Sequence, residues 1–339
     1  MRALYHVTIP PSAMADCEAV MQDVQLLQQI APGEVIHFYP TRTPGTRIPR
    51  LLWGVNQAPE LWRAERAVDL HHVFNPDPFP FPALRFLKRP IVYTVVGGLD
   101  ERHRDMACRL SKLARTIIVS SEADYERLQA WGIAQGRLVQ PAIDASRFSH
   151  TPLPPDAPPT LLAGSAPWTV EQFTSKGVDA LLDAAQRRPD LRLIFLWRGV
   201  LFDEMMQRVR ARGLEGRVHV LNERVDVNAA LAGASAGVVL ATRPDVVKAY
   251  PHSLLESLAA GKPVLVSRVI PMAAWVEREG LGLVIEAVEA EAILRAVAEL
   301  ERGAARFAAE ALQTAVRDRL AHFMQAHREV YASVARAHR

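Results

Sequence analysis

The chemistry-bearing residues are densest in the run Tyr250-Pro251-His252-Ser253-Leu254-Leu255-Glu256-Ser257-Leu258-Ala259-Ala260-Gly261-Lys262-Pro263. The pattern predicts a helix that begins near His252 and stops at Gly261, a residue type that closes helices at low cost. Its first amides, at Ser253, Leu254 and Leu255, would face a strand-end crevice. Unpaired amides and a positive helix end together suit a pyrophosphate. Glu256, one turn further in, is placed to accept hydrogen bonds from a ribose diol. A plainer account makes Glu256 a carboxylate that satisfies its own helix, and on these residues alone both accounts stand.

Other chemistries find no support. No glycine-rich dinucleotide turn follows the first strand, where Pro10-Pro11-Ser12-Ala13 stands instead, and no phosphate-binding loop, zinc-protease or kinase motif occurs. Gly233-Ala234-Ser235-Ala236-Gly237 matches the hydrolase elbow in letters. That chemistry needs strand, serine, then helix, whereas here a helix precedes and a strand follows. The segment is read as small residues easing a turn.

The elements that must hold this constellation alternate in type. Short apolar strands are expected at 3–9, 35–39, 70–75, 90–96, 115–120 and 137–139, and again at 160–164, 191–196, 217–221, 237–241, 263–267 and 283–286. Helical spacing fills most of the intervals, including 99–113, 177–187, 201–212 and 252–260. Strands that are almost wholly apolar belong to parallel sheets covered on both faces. The fold class is therefore α/β, with two doubly wound, Rossmann-like domains expected to face each other across a cleft. Residues 1–150 form the first domain and 160–317 the second. The run 151–159, with five prolines, reads as a stiff connector. The helical tail 318–339 is expected to pack back on the first domain.

Composition narrows the class further. The chain has 339 residues, 49% of them hydrophobic and 23% charged, as in globular proteins, and no apolar run reaches the length of a membrane span. Its start lacks a signal-peptide pattern, so a soluble, cytoplasmic protein is expected. Two cysteines, Cys17 and Cys108, cannot organise a disulfide framework or a zinc site by themselves. Residues 1–150 carry 17 basic and 15 acidic side chains, so the net charge of +3 is not concentrated there, and no nucleic-acid partner is inferred.

The run ending Glu256-Ser257-Leu258-Ala259-Ala260-Gly261-Lys262-Pro263-Val264 resembles the signature of the group 1 glycosyltransferases, the retaining family 4 enzymes of GT-B fold. Further landmarks follow in order. Asp69-Leu70-His71-His72-Val73-Phe74-Asn75 and Arg89-Pro90-Ile91-Val92-Tyr93-Thr94-Val95 are similar to two strands of the family's first domain. Leu161-Leu162-Ala163-Gly164 and Ser175-Lys176-Gly177-Val178 are similar to the opening of its donor domain. The resemblance implies that Lys176 meets the donor phosphates and Glu256 the ribose. It places Gly164, Ser165, Arg198, His252, Ser253, Leu254 and Leu255 around the donor.

Departures from the pattern fall on polar positions. Lys248 stands where the family has its first signature glutamate, Ser165 where it has a loop arginine, and Val96 or Gly97 where it has a sugar-contacting histidine. Arg198, Arg243 or Lys248 could replace the lost positive charge. Lys248 and His72 remain secondary catalytic candidates, although a solvated lysine and a packed strand histidine are the plainer accounts. Trp168 could stack on a base or sugar, or cover the sheet edge.

What the resemblance implies is transfer of a sugar from a nucleoside-diphosphate sugar to an acceptor hydroxyl, with retained configuration and neither cofactor nor metal. The acceptor could be a glycan, a lipid or a small molecule. The alternatives are a non-catalytic partner or carbohydrate-binding protein of the same fold, and a nucleotide-sugar epimerase. The basic stretches 42–50 and 85–89 read first as solvated surface. Peripheral contact with the inner membrane face is the other reading, as in relatives with lipid acceptors.

Overall fold

The structure is a computed structural model of the chain and describes residues 1–9, 18–40 and 48–336. The runs 10–13 and 42–47, singled out above, and Cys17 lie outside the described residues. Two compact units emerge: Met1–Pro141 with Ala321–Arg339, and Ala142–Leu320.

The first unit runs β1 (Ala3–Val7), α1 (Ala19–Gln28), β2 (Val35–His37), α2 (Ala58–Glu65), β3 (Leu70–Asn75), β4 (Ile91–Val95), α3 (Arg104–Leu110), β5 (Thr116–Val119), α4 (Glu122–Ala130) and β6 (Gly136–Leu138). The second runs β7 (Thr160–Ala163), α5 (Gln172–Ser175), α6 (Val178–Arg187), β8 (Arg192–Leu196), α7 (Phe202–Ala211), β9 (Val218–Leu221), α8 (Val227–Ala232), β10 (Ala236–Val239), α9 (His252–Ala259), β11 (Val264–Ser267), α10 (Met272–Glu279), β12 (Gly282–Ile285), α11 (Ala290–Arg302) and α12 (Ala309–Arg317). A final helix, α13 (Arg319–Arg336), follows.

Each unit holds a six-stranded sheet, ordered β2-β1-β3-β4-β5-β6 in the first and β12-β11-β10-β7-β8-β9 in the second. All pairs are parallel. The α/β class and its two doubly wound sheets are thus as the sequence pattern requires. Strand β10 shows why its run is unbroken: Val238 packs into one core cluster with Leu161, Leu193 and Phe195, while Val239 joins another with Leu254, Leu258 and Val266. Successive side chains on a strand face opposite ways, so helices on both faces demand apolar residues at every position.

Several details differ from the sequence reading. The chain divides after Pro141, not at 150, and the proline-rich run 151–159 lies inside the second unit. There Lys262 Nζ donates to the Thr151 carbonyl at 2.8 Å. The long helix expected at 99–113 is a short 3-10 turn, Glu101–His103, followed by the seven-residue α3. Asp100 accepts from the Arg102 amide and the His103 ring accepts from the Asp100 amide, which starts the segment as a tight turn. The tail from 318 on is one described helix, α13, which belongs from Ala321 onward to the first unit and buries His327 and Tyr331 there. Ser235 holds a turn: the Thr160 amide donates to its Oγ at 3.1 Å, with α8 before it and β10 after.

Candidate functional site

The strand order of the second unit creates one natural crevice. Chain progress runs outward from β7 through β8 to β9 on one side, and through β10 to β11 and β12 on the other. Ligands of doubly wound sheets bind beyond the strand ends at such a reversal. Gly164, directly after β7, and α9, which follows β10, meet there. A Cβ on Gly164 would lie 2.6 Å from Ser253 Cβ, so glycine is what lets the strand end touch the first turn of α9. The Thr242 amide donates to the Ser175 carbonyl at 2.9 Å, drawing the segment that carries Lys176 to the same place. Gly177 completes that placement with φ +68, where an added Cβ would strike Leu240 Cβ at 2.7 Å.

Two cations converge on one acceptor. Lys176 Nζ donates to the Ala166 carbonyl at 3.0 Å, and Arg198 Nη2 donates to the same oxygen at 2.6 Å. The Lys176 side chain is buried, and the Arg198 guanidinium lies 4.7 Å from the ring centre of Trp168, so both charges are held in place. Trp168 is fixed in turn, because its amide donates to Gln172 Oε1 at 2.8 Å, on the short helix α5.

A third cation stands at α9. Lys248 Nζ donates to His252 Nε2 at 3.2 Å, which leaves the imidazole proton on Nδ1. The helix is capped by Pro251 without any side-chain cap, so its positive end is not neutralised from within. A lysine beside a helix N-terminus is electrostatically unfavourable unless an anion joins it. Leu254 and Leu255 bury their side chains in the core beneath, which anchors the turn that presents the amides.

Glu256 sits one turn further along. Burial pushes its carboxyl up to about 7, with Arg147 pulling in the opposite direction. Among the described residues the carboxylate makes no hydrogen bond, so the account in which Glu256 satisfies its own helix does not hold. Arg147 was not foreseen as a neighbour. It lies in the 3-10 turn Ala145–Arg147, and nothing local in the sequence ties that turn to α9.

The remaining candidates separate. Ser165 is half-buried beside Gly164. Arg243 is exposed and pairs with Asp245 at 3.1 Å, which makes it a surface group. His72 is enclosed in the first unit: Thr94 Oγ1 lies 2.7 Å from its Nε2 and Tyr331 Oη 2.6 Å from its Nδ1. Both ring nitrogens are occupied, so His72 is a core residue, which corrects its candidacy for catalysis. Val96 is buried too, and its amide donates to the Asn75 carbonyl.

Residues 169–315 match the family profile of group 1 glycosyl transferases. The second unit is a group 1 glycosyl transferase domain. The matched stretch contains Lys176, Arg198, Lys248 and Glu256, while Gly164 and Ser165 lie just ahead of it. Among solved structures, Anabaena HepE in complex with UDP-glucose is similar over 98% of this chain and 100% of that one, at 17% identity and a TM-score of 0.71. Sucrose-phosphate synthase from Thermosynechococcus elongatus gives the same coverage at 16% identity and a TM-score of 0.72. These likenesses extend the glycosyltransferase fold beyond the profile match to nearly the whole chain. No curated protein sequence matches it significantly. In the glycosyl transferase domain, then, Gly164, Lys176, Arg198, Lys248, His252, Ser253 and Glu256 all lie within one unit.

Proposed function

We propose that this chain transfers a sugar from a nucleoside-diphosphate sugar to an acceptor hydroxyl on a glycan, a lipid or a small molecule. The observation that carries the reading is the convergence of Lys176 and Arg198 on the Ala166 carbonyl, in a unit whose helix α9 presents a positive end to the same strand reversal. A diphosphate bound there would meet two positive charges already held side by side. The cations and the α9 amides then stabilise charge as it builds on the leaving nucleoside diphosphate. Because protein groups supply that charge, the reaction proceeds without a divalent cation. The Glu256 carboxylate accepts the ribose hydroxyls. The leaving phosphate assists removal of the acceptor proton, and the sugar keeps its anomeric configuration.

HepE was solved with UDP-glucose, which makes UDP the first nucleotide to try. Purified chain is melted with UDP, GDP, ADP, dTDP and CDP, alongside Lys176→Ala and Glu256→Ala. A ligand at a hundred times its dissociation constant adds about 2.7 kcal/mol by mass action, a rise of several degrees for a chain of this size. One nucleotide raising the wild-type Tm and neither variant's supports the donor site. Absence of any shift removes it and favours the non-catalytic alternative, for which Lys248 in the place of an acidic residue is the specific argument.

A further inference from the structure

Helix α5 is four residues long, too short to be stable by itself, yet several ties to the donor crevice leave from it. Gln172 Oε1 accepts from the Trp168 amide, the Ser175 carbonyl accepts from the Thr242 amide, and Lys176 follows directly as the capping residue. Phe173 is fully buried, and its ring lies 6.0 Å from that of Trp197, the neighbour of Arg198. Whatever fixes α5 therefore bears on both cations that meet at the Ala166 carbonyl.

The grip on α5 comes from the two helices that follow it. Gly177 caps α6 without a side-chain bond, and the first-turn acid Asp179 gives one oxygen to each neighbouring helix. Thr174 Oγ1 of α5 donates to Asp179 Oδ2 at 3.1 Å, and Arg208 Nη1 of α7 donates to Asp179 Oδ1 at 2.7 Å. Arg212 adds a longer contact to Asp179, at 3.6 Å. The Arg208 guanidinium also lies 4.3 Å from the ring centre of Phe173, and Glu204, one turn earlier on α7, holds its Nη2 at 2.9 Å. A carboxylate and a guanidinium thus hold α5 by its hydroxyl and by its ring. The planar guanidinium can stack and bond at once, which an ammonium cannot.

We infer that Asp179 and Arg208 are positioning residues for the donor site, holding α5 so that Lys176 and Arg198 are aimed at one point before any ligand arrives. The inference rests on the donor reading proposed above. The two residues act through α5 rather than on the ligand: a segment already in place need not be ordered when the nucleotide binds.

The test compares Asp179→Asn with Asp183→Asn. Asp183, one turn further along α6, pairs with Arg212 of α7 at 2.8 Å and has no hydrogen bond to α5 among the described residues. Its loss removes a like ion pair from the same two helices. Hydrogen exchange of the full chain without ligand is read at the Trp168 and Thr242 amides. Both should exchange faster in Asp179→Asn, and at the wild-type rate in Asp183→Asn. Titration with UDP, or with whichever nucleotide raises the wild-type Tm, should show affinity about tenfold weaker in Asp179→Asn and unaltered in Asp183→Asn. Arg208→Met should behave like Asp179→Asn, whereas Arg208→Lys, which keeps the charge without the planar fork, should recover part of the loss. Equal exchange at both amides in the two aspartate variants, or equal nucleotide affinity, overturns the inference and leaves the donor site standing. A wild type that binds none of the five nucleotides refutes the donor reading itself, and the inference falls with it.

Discussion

Glu256→Gln separates a carboxylate held for a ligand from one held for the fold. In the folded chain the carboxyl sits at about 7 against a reference of 4.5, mainly because it is buried. The difference of about 2.5 units, at 1.36 kcal/mol each, means that ionised Glu256 costs the empty domain about 3 kcal/mol. The pKa is raised on folding, so the favourable neutral form is fully present below pH 4.5, and its benefit is lost as the pH rises through about 7. Glutamine never ionises. The stability of the variant relative to wild type should therefore grow by about 3 kcal/mol from acid to mildly alkaline pH. Urea unfolding of both proteins, followed by tryptophan fluorescence at several values between about pH 5 and 8, reads this out; titrations elsewhere cancel in the difference. The same variant should lose most of the UDP-induced rise in Tm, because an amide offers the ribose one acceptor oxygen in place of two. A stability difference that stays flat with pH would refute the argument that burial, uncompensated by hydrogen bonds, governs this carboxyl.

Three further outcomes are expected. Burial lowers the pKa of His6, His71 and His72, and that of His327 to about 4. The unfolded chain binds protons near pH 6.5 that the folded first unit refuses, so stability is full above 6.5 and falls as the pH drops toward 4. His327 alone accounts for about 3 kcal/mol. Hydrogen exchange at pH 5 should show β1 and β3 losing protection before β7 and β10, and equal loss in both sheets would contradict this. Gly164→Ala forces β7 off α9 and should cost roughly 1–3 kcal/mol, with a weaker nucleotide response in the melting assay. Tyr331→Phe leaves His72 Nδ1 without its partner and should cost about 1–3 kcal/mol, seen in denaturant unfolding without change in nucleotide response.

Much of this was legible in the sequence because parallel sheets covered on both faces write themselves as apolar runs. Val238 and Val239 could be read as strand without knowing which core each enters. The segment from Tyr250 to Gly261 was legible because Pro251 and Gly261 bracket the helix locally. What stayed hidden depends on contacts distant in sequence. Arg147 comes near Glu256 only through the packing of a 3-10 turn on α9. Lys176 and Arg198 share the Ala166 carbonyl because β7 and β8 are neighbours, a pairing that no local pattern encodes. Helix α5, four residues long, is too short to show a period. His72 looked ambiguous because its partner Tyr331 is 259 positions away.

The placement of α13 bears on how the chain is made. Residues up to Pro141 leave the ribosome early, yet the helix that supplies His327 and Tyr331 to their core is synthesised only after the entire second unit. At roughly 5–20 residues per second the early segment waits on the order of ten seconds or more, with the edge of His72 that Tyr331 later closes still open. The second unit meanwhile can finish folding. Translation halted within the second unit would therefore release a first sheet that lacks its closing helix, a species with exposed apolar surface for proteases and chaperones to find.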